Sequence, residues 1–88
     1  DQDEVINLSG SYLIYPNPTK GKFYIKADNP EYIQQIILYD IRGNLVESYQ
    51  VVDKFPMEID LTKHTLGTYL LIVKEASGTQ EFKVIYTN

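Results

Sequence analysis

The stretch that decides the fold reads Gly67-Thr68-Tyr69-Leu70-Leu71-Ile72-Val73. It is rich in β-branched and aromatic residues, which favour the pleated backbone of a strand over a helix. Large apolar side chains fall on both faces of such a strand, which is typical of a strand at the centre of a sheet. Ile36-Ile37-Leu38-Tyr39 has the same character. The sequence therefore predicts two central β-strands.

The segments on either side of these two strands predict further short strands. Turn residues separate them at intervals of about eight to twelve residues, which is typical of a β-sandwich or a small barrel. No stretch of ten residues keeps a 3.6-residue apolar period without a Gly or Pro, so a helical fold is excluded. The predicted strands are Tyr12–Tyr15, Lys22–Ala27, Ile33–Ile41, Leu45–Val52, Met57–Asp60, Thr68–Glu75 and Thr79–Tyr86.

The turns between these strands have a chemical basis. Pro16-Asn17-Pro18 ends the first strand because two prolines fix φ and force extended neighbours, and Gly21 supplies a positive φ in the turn that follows. Gly43-Asn44 and Ser77-Gly78-Thr79 are typical of hairpin connections between antiparallel neighbours. In the first of these hairpins we expect Asp40 to accept hydrogen bonds from turn amides.

Length and charge limit what the chain can be. Its 88 residues, 43% of them hydrophobic, suffice for one small core and not for two. A net charge of −4 opposes binding to a phosphate backbone, and no apolar run is long enough to span a bilayer. The acidic, Ser/Gly-containing residues 1–11 are predicted to be a tether from an upstream cargo, and residues 12–88 the folded domain. A signal peptide is expected upstream of this sequence, because Asp1-Gln2-Asp3-Glu4 lacks a basic n-region.

Few residues suggest catalysis or metal binding. His64 is the only histidine and there is no cysteine, so a zinc site or a triad lacks partners within the chain. The carboxylates are scattered over turns and strand ends, where a glycosidase-like pair is an open but minor alternative; they are Asp28, Asp40, Asp53, Glu58 and Asp60. Asp1, Asp3 and Glu4 are read as part of the tether, with weak calcium binding as the alternative. No catalytic, cofactor or metal site is predicted.

The eight tyrosines raise a second functional class, since carbohydrate-binding sandwich modules stack sugars on exposed aromatic rings. Most of these tyrosines fall inside predicted strands, where cross-strand and core packing is the main role of an aromatic side chain. Sugar binding therefore remains an alternative to packing.

Three separated segments resemble, in order and spacing, the type A C-terminal sorting domain of type IX secretion, the Por secretion system sorting domain family. They are residues 13–23, which contain Tyr-Pro-Asn-Pro-x-x-Gly, residues 37–46, which contain Tyr-Asp-x-x-Gly, and residues 59–73, which contain Gly-x-Tyr-x-x-x-Val. A terminal Lys83-Val84-Ile85 matches the Lys-Leu-Val-like end of the family. The residues that the resemblance singles out are Pro16, Asn17, Pro18, Gly21, Asp40, Gly43, Gly67, Tyr69, Lys83, Val84 and Ile85.

The resemblance implies an immunoglobulin-like antiparallel sandwich that serves as an export address and not as an enzyme. Its partners would be the type IX outer-membrane translocon and a surface sortase, which typically removes the domain and joins the cargo to an anionic lipopolysaccharide. The cargo would pass through the periplasm of a Gram-negative bacterium to the cell surface or the medium. A weak homodimer through exposed strands is also expected to be possible.

The sequence departs from the family pattern at two places. Only Gly67 of the usual Leu-Pro-Ala-Gly approach is present, since the chain has His64-Thr65-Leu66-Gly67, and the sequence finishes Tyr86-Thr87-Asn88 without a basic residue. The main alternative function is a fibronectin- or immunoglobulin-like spacer, or a carbohydrate-binding module, of an extracellular enzyme.

Overall fold

The computed structural model describes residues 12–50 and 54–88, which fold into seven β-strands. Each predicted strand is present, with most boundaries within one residue. The predicted end of the fourth strand, at Val51 and Val52, lies outside the described residues. A single 3₁₀ turn at Pro30–Tyr32 was not predicted. The strands are β1 (Tyr12–Tyr15), β2 (Lys22–Ala27), β3 (Ile33–Asp40), β4 (Leu45–Tyr49), β5 (Met57–Asp60), β6 (Gly67–Glu75) and β7 (Gly78–Tyr86).

The strands form two antiparallel sheets. One has the order β1-β2-β5 and the other the order β4-β3-β6-β7. The predicted central strands β3 and β6 are indeed the two inner strands of the larger sheet. Both predicted hairpins, β3–β4 and β6–β7, are present with antiparallel pairing. This arrangement agrees with the expected immunoglobulin-like sandwich.

Alternating side chains from both sheets fill the core between them. Phe23, Ile25 and Ile59 from the smaller sheet are fully buried, as is Leu61 just beyond β5. The larger sheet contributes side chains two residues apart along each strand, as the pleat requires; they are Ile36, Leu38, Tyr69, Leu71, Val73 and Val84. Tyr69, Leu71, Val73 and Val84 thus face the core, and the half-buried Phe82 packs against the same cluster.

One buried acidic residue links the two sheets. Glu75, at the end of β6, is 8% exposed and accepts a hydrogen bond from the Tyr12 hydroxyl of β1. The Tyr12 ring also meets the Phe82 ring edge-on, at a centroid distance of 5.8 Å. Burial, and then the Glu75 carboxylate, raise the pKa of Tyr12 above its ordinary range, so this hydroxyl stays protonated and remains a donor.

Candidate functional site

The motif residues that are far apart in sequence meet at one end of the four-stranded sheet. In the β3–β6 ladder Asp40 lies opposite Tyr69, and in the β6–β7 ladder Tyr69 lies opposite Val84. Two residues further along the same ladder, Gly67 lies opposite Tyr86, which forms an isolated parallel bridge with Thr19. We call this region the motif end; it comprises residues 16–21, Asp40–Asn44, Gly67–Tyr69 and Lys83–Thr87.

Asn17 joins the Pro16–Gly21 loop to the end of β7. Its side-chain Nδ2 donates to the Lys83 carbonyl at 2.7 Å, and its Oδ1 accepts from the Ile85 amide at 3.0 Å. A carboxamide thus takes the place that a backbone peptide group of a neighbouring strand would take. The first motif and the last motif of the resemblance are therefore in direct contact.

Thr19 extends this contact through its own backbone. Its amide donates to the Ile85 carbonyl at 2.7 Å, and its carbonyl accepts from the Thr87 amide at 2.9 Å. Its hydroxyl donates to the Lys22 carbonyl and accepts from the Gly21 amide, and the residue is fully buried. Thr19 was missing from the predicted set, although a threonine two residues before a turn glycine is a recognisable side-chain-to-backbone turn signal.

Gly21 fits where a larger residue does not. Its φ is +153°, as the sequence predicted in sign, and an added Cβ would lie 2.8 Å from the Thr62 methyl carbon. The Gly21 carbonyl also accepts a hydrogen bond from the Leu61 amide at 2.7 Å. The loop therefore packs closely on the segment that follows β5, which fixes where Asn17 and Thr19 meet β7.

The Asp40 turn closes the β3–β4 hairpin beside Tyr69. The Asp40 Oδ1 accepts from the backbone amides of Arg42 and Asn44, both at 2.9 Å, which confirms the predicted hydrogen bonding. The Asn44 amide, ahead of its side chain and the Arg42 amide, holds the pKa of Asp40 below its usual value. Gly43 adopts a φ of +91°, as the turn requires.

Tyr69 fixes the loop that enters β6. Its hydroxyl donates to the Thr65 carbonyl four residues upstream, while its ring lies in the core at 4% exposure. This is the tyrosine corner found at the start of the corresponding strand of immunoglobulin-like domains. Gly67, between the two residues, has a φ of +148°.

The terminal segment alternates between the core and the surface. Val84 is fully buried, Lys83 is exposed, and Ile85 is 41% exposed. The structure therefore brings Asn17, Lys83 and Ile85 together, and Gly21 belongs to the same loop as Asn17. The other predicted residues lie on β3, in the turn that follows it, and on β6; they are Asp40, Gly43, Gly67 and Tyr69. Only the side chains of Lys83 and Ile85 among the last three motif residues can meet a partner directly.

Within residues 12–50 and 54–88, no group of three or more His, Asp or Glu side chains is placed to hold a metal ion. The His64 amide donates to the Leu61 carbonyl in a turn. Asp60 caps a turn through Thr62, whose hydroxyl and then amide lower the pKa of Asp60. Asp53 and the acidic residues Asp1, Asp3 and Glu4 lie outside the described residues.

Two tyrosines meet on the outer face of the smaller sheet. Tyr15 and Tyr24 form a half-buried pair on the outer side of β1 and β2, with ring centroids 5.7 Å apart. Their planes are tilted by 31°, so the two rings do not form one flat stacking surface. Tyr24 also makes a 3.3 Å hydrogen bond to Glu58.

Comparison with protein families gives a match over nearly the whole chain. A family model described as "Secretion system C-terminal sorting domain" matches residues 13–87, which is nearly the whole chain. No curated protein sequence matches. In the part of the chain that the structure describes, no helix is long and apolar enough to cross a membrane.

Proposed function

We propose, since the chain belongs to the secretion system C-terminal sorting domain family, that a type IX outer-membrane translocon recognises it and that a surface sortase removes it from its cargo. Membership of the family indicates the general function: the chain is a sorting signal that directs its cargo to the cell surface or the medium of a Gram-negative bacterium. In this proposal the domain is the substrate of the sortase chemistry and performs none of its own.

The observation that supports recognition is the convergence of the family motifs on the motif end. Asn17, Lys83 and Ile85 come from opposite ends of the sequence and share one hydrogen-bonded patch. Because Asn17 and Thr19 occupy the outward backbone groups near Ile85, a receptor in this proposal reads the exposed side chains of Lys83 and Ile85. The other motif residues act by holding this patch in shape.

The upstream tether supplies the place for cleavage. Residues 1–11 combine acidic residues with Ser9-Gly10-Ser11 and precede the first strand. Segments of small and polar residues are preferred sites of proteolytic cleavage, and residues 1–11 have this composition. We therefore assign sortase cleavage to residues 1–11.

The test is export of a periplasmic reporter fused to residues 1–88 in a cell with a working type IX apparatus. We expect the surface or medium fraction of the reporter, normalised to total reporter, to rise well above that of the reporter alone. Deleting Lys83–Asn88 should abolish export. Lys83→Glu should reduce it strongly, whereas the matched control Lys26→Glu, an exposed lysine on the other sheet, should not.

Two results would remove the proposal. Export at the level of a reporter without the domain would leave the extracellular spacer or carbohydrate-binding module as the better reading. Equal export by the Lys83→Glu and Lys26→Glu variants would show that the motif end is not the surface that is read. Circular dichroism of both purified variants checks that folding is unchanged.

A further inference from the structure

The outer face of the four-stranded sheet carries large apolar side chains. On β6, Leu71 and Val73 fill the core, so the alternate residues Leu70 and Ile72 point to the other side of the sheet and are half-buried. Every described strand belongs to one of the two sheets, and the smaller sheet covers the inner side. The outer face of the larger sheet therefore has no described strand packed on it.

Two rows of side chains cross the centre of this face, one residue from each strand, because residues opposite each other in a ladder share a face. The Lys83 row comprises Leu45, Tyr39, Leu70 and Lys83, and the Glu81 row comprises Ser48, Ile37, Ile72 and Glu81. Each row is thus mainly apolar and ends in one charge on β7. Leu45 is 62% exposed. Among the described residues, neither Glu81 nor Lys83 has an ion pair.

The two rows are complementary to each other, so the face is complementary to a second copy of itself. A two-fold axis that runs across the strands, between the rows, sets the Glu81 row of one copy over the Lys83 row of the other. Leu70 then faces the second copy's Ile72, and Tyr39 faces its Ile37. Lys83 faces the second copy's Glu81, and the symmetry repeats this pair. Both charges on β7 thereby gain a partner of unlike sign.

This contact joins faces and leaves the edge of β7 as it is. Sheets that pack face to face lie about 10 Å apart, with strand directions within about 30° of each other. The second copy's strands therefore lie over β7 and not beside it, where the Asn17 side chain and the Thr19 backbone hydrogen-bond Lys83, Ile85 and Thr87.

The area of the face sets the strength of such a dimer. Four strands about 4.8 Å apart, with side-chain rows about 6.6 Å apart, give a face of about 500 Å² in each copy. A total of about 1,000 Å² is at the lower limit for a specific interface and is typical of a weak dimer.

We propose that the outer face of the four-stranded sheet is the interface of a weak two-fold dimer of this chain. The apolar centre of the two rows supplies the association, and the reciprocal Glu81–Lys83 pairs fix the register. The proposal does not depend on the chain's role in export.

The test is the dimer dissociation constant of residues 1–88, measured by analytical ultracentrifugation over a wide concentration range. For the wild type we expect a dissociation constant of about 10 µM to 1 mM. Leu45→Asp places a charge in the Lys83 row and should raise it by about tenfold or more. The matched control is Leu13→Asp, which changes a leucine of similar exposure, 55%, on the smaller sheet and should leave it unchanged.

A charge swap tests the register. Lys83→Glu sets two carboxylates against each other at both ends of the interface, and Glu81→Lys does the same with two ammonium groups. Each should raise the dissociation constant by about three- to thirtyfold. The double variant restores unlike charges and should return to within about threefold of the wild type. Circular dichroism shows that each variant is folded.

Three outcomes would overturn the proposal. The first is a wild-type protein that stays monomeric at a concentration of about 1 mM, above the expected range. The second is an equal loss of association in Leu45→Asp and Leu13→Asp. The third is a double charge variant that associates as weakly as either single variant, because Glu81 and Lys83 would then not face each other across the two copies.

Discussion

Replacing Gly21 by alanine should destabilise the domain more than any other glycine-to-alanine change in the described residues. Two costs combine at this position. The backbone has a φ of +153°, which is unfavourable for a side chain with a Cβ, and that Cβ would lie 2.8 Å from the Thr62 methyl carbon. Thr62 cannot rotate away freely, because its hydroxyl bonds Asp60 at 2.6 Å.

The magnitude follows from adding these terms. Strain at an unfavourable backbone conformation costs about 1–3 kcal/mol, and overpacking costs a further 1–3 or so. Alanine also reduces the entropy of the unfolded chain, which offsets about 0.4–1 kcal/mol. We therefore expect Gly21→Ala to lower the free energy of unfolding by about 1–5 kcal/mol, a large part of what so small a domain holds.

Chemical denaturation of three variants separates the two costs. Gly78→Ala is the matched control, since Gly78 has a φ of +154° and an added Cβ there meets no atom within 4 Å. It should lose only the backbone part, about 0.5–2 kcal/mol. Thr62→Ser keeps the hydroxyl and removes the clashing methyl, so in the Gly21→Ala background it should restore about 1 kcal/mol or more. Equal losses for Gly21→Ala and Gly78→Ala, or no recovery with Thr62→Ser, would refute the close-contact reasoning.

Other changes test the remaining elements by thermal or chemical denaturation. Leu71→Ala should cost about 2–5 kcal/mol because Leu71 is fully buried, whereas the outward, half-buried Leu70→Ala should cost clearly less; the opposite order would contradict the register. Gly43→Val should cost about 1–3 kcal/mol, since valine resists a φ of +91°, and an unchanged melting temperature would contradict the turn. The lowered pKa of Asp40 gives stability that is present above its unfolded pKa of about 3.9 and is lost as pH falls through the folded pKa. Asp40→Asn should therefore flatten part of the decline in melting temperature below about pH 4, and a curve identical to that of the wild type would argue against the carboxylate's role.

The strands could be predicted because their signals are local. Alternation along β6, the Asp40–Gly43 turn and the two prolines after Tyr15 each act within a few residues, and these features appear as expected. The motif resemblance added the immunoglobulin-like arrangement, which the spacing of turns alone left open between a sandwich and a barrel.

The contacts between distant segments could not be predicted in the same way. The pairing of β2 with β5 and of β3 with β6 depends on how the two sheets close around the core, which no local pattern states. The bonds from Asn17 and Thr19 to β7 join residues more than 60 positions apart. Thr19 in particular is polar and follows a proline, so its complete burial contradicts what its residue type suggests.

The parallel contact between Thr19 and the end of β7 also sets how the domain responds to mechanical force. Suppose that force is applied on the N-terminal side of Thr19 and on the C-terminal side of β7. The two parallel segments then slide along each other, and the hydrogen bonds between them bear the load together. An antiparallel hairpin pulled at its open end instead separates one bond at a time. Resistance to such pulling is governed by the unfolding rate and not by equilibrium stability. Thr19 and the end of β7 are thus two segments of this fold that resist such a pull in shear.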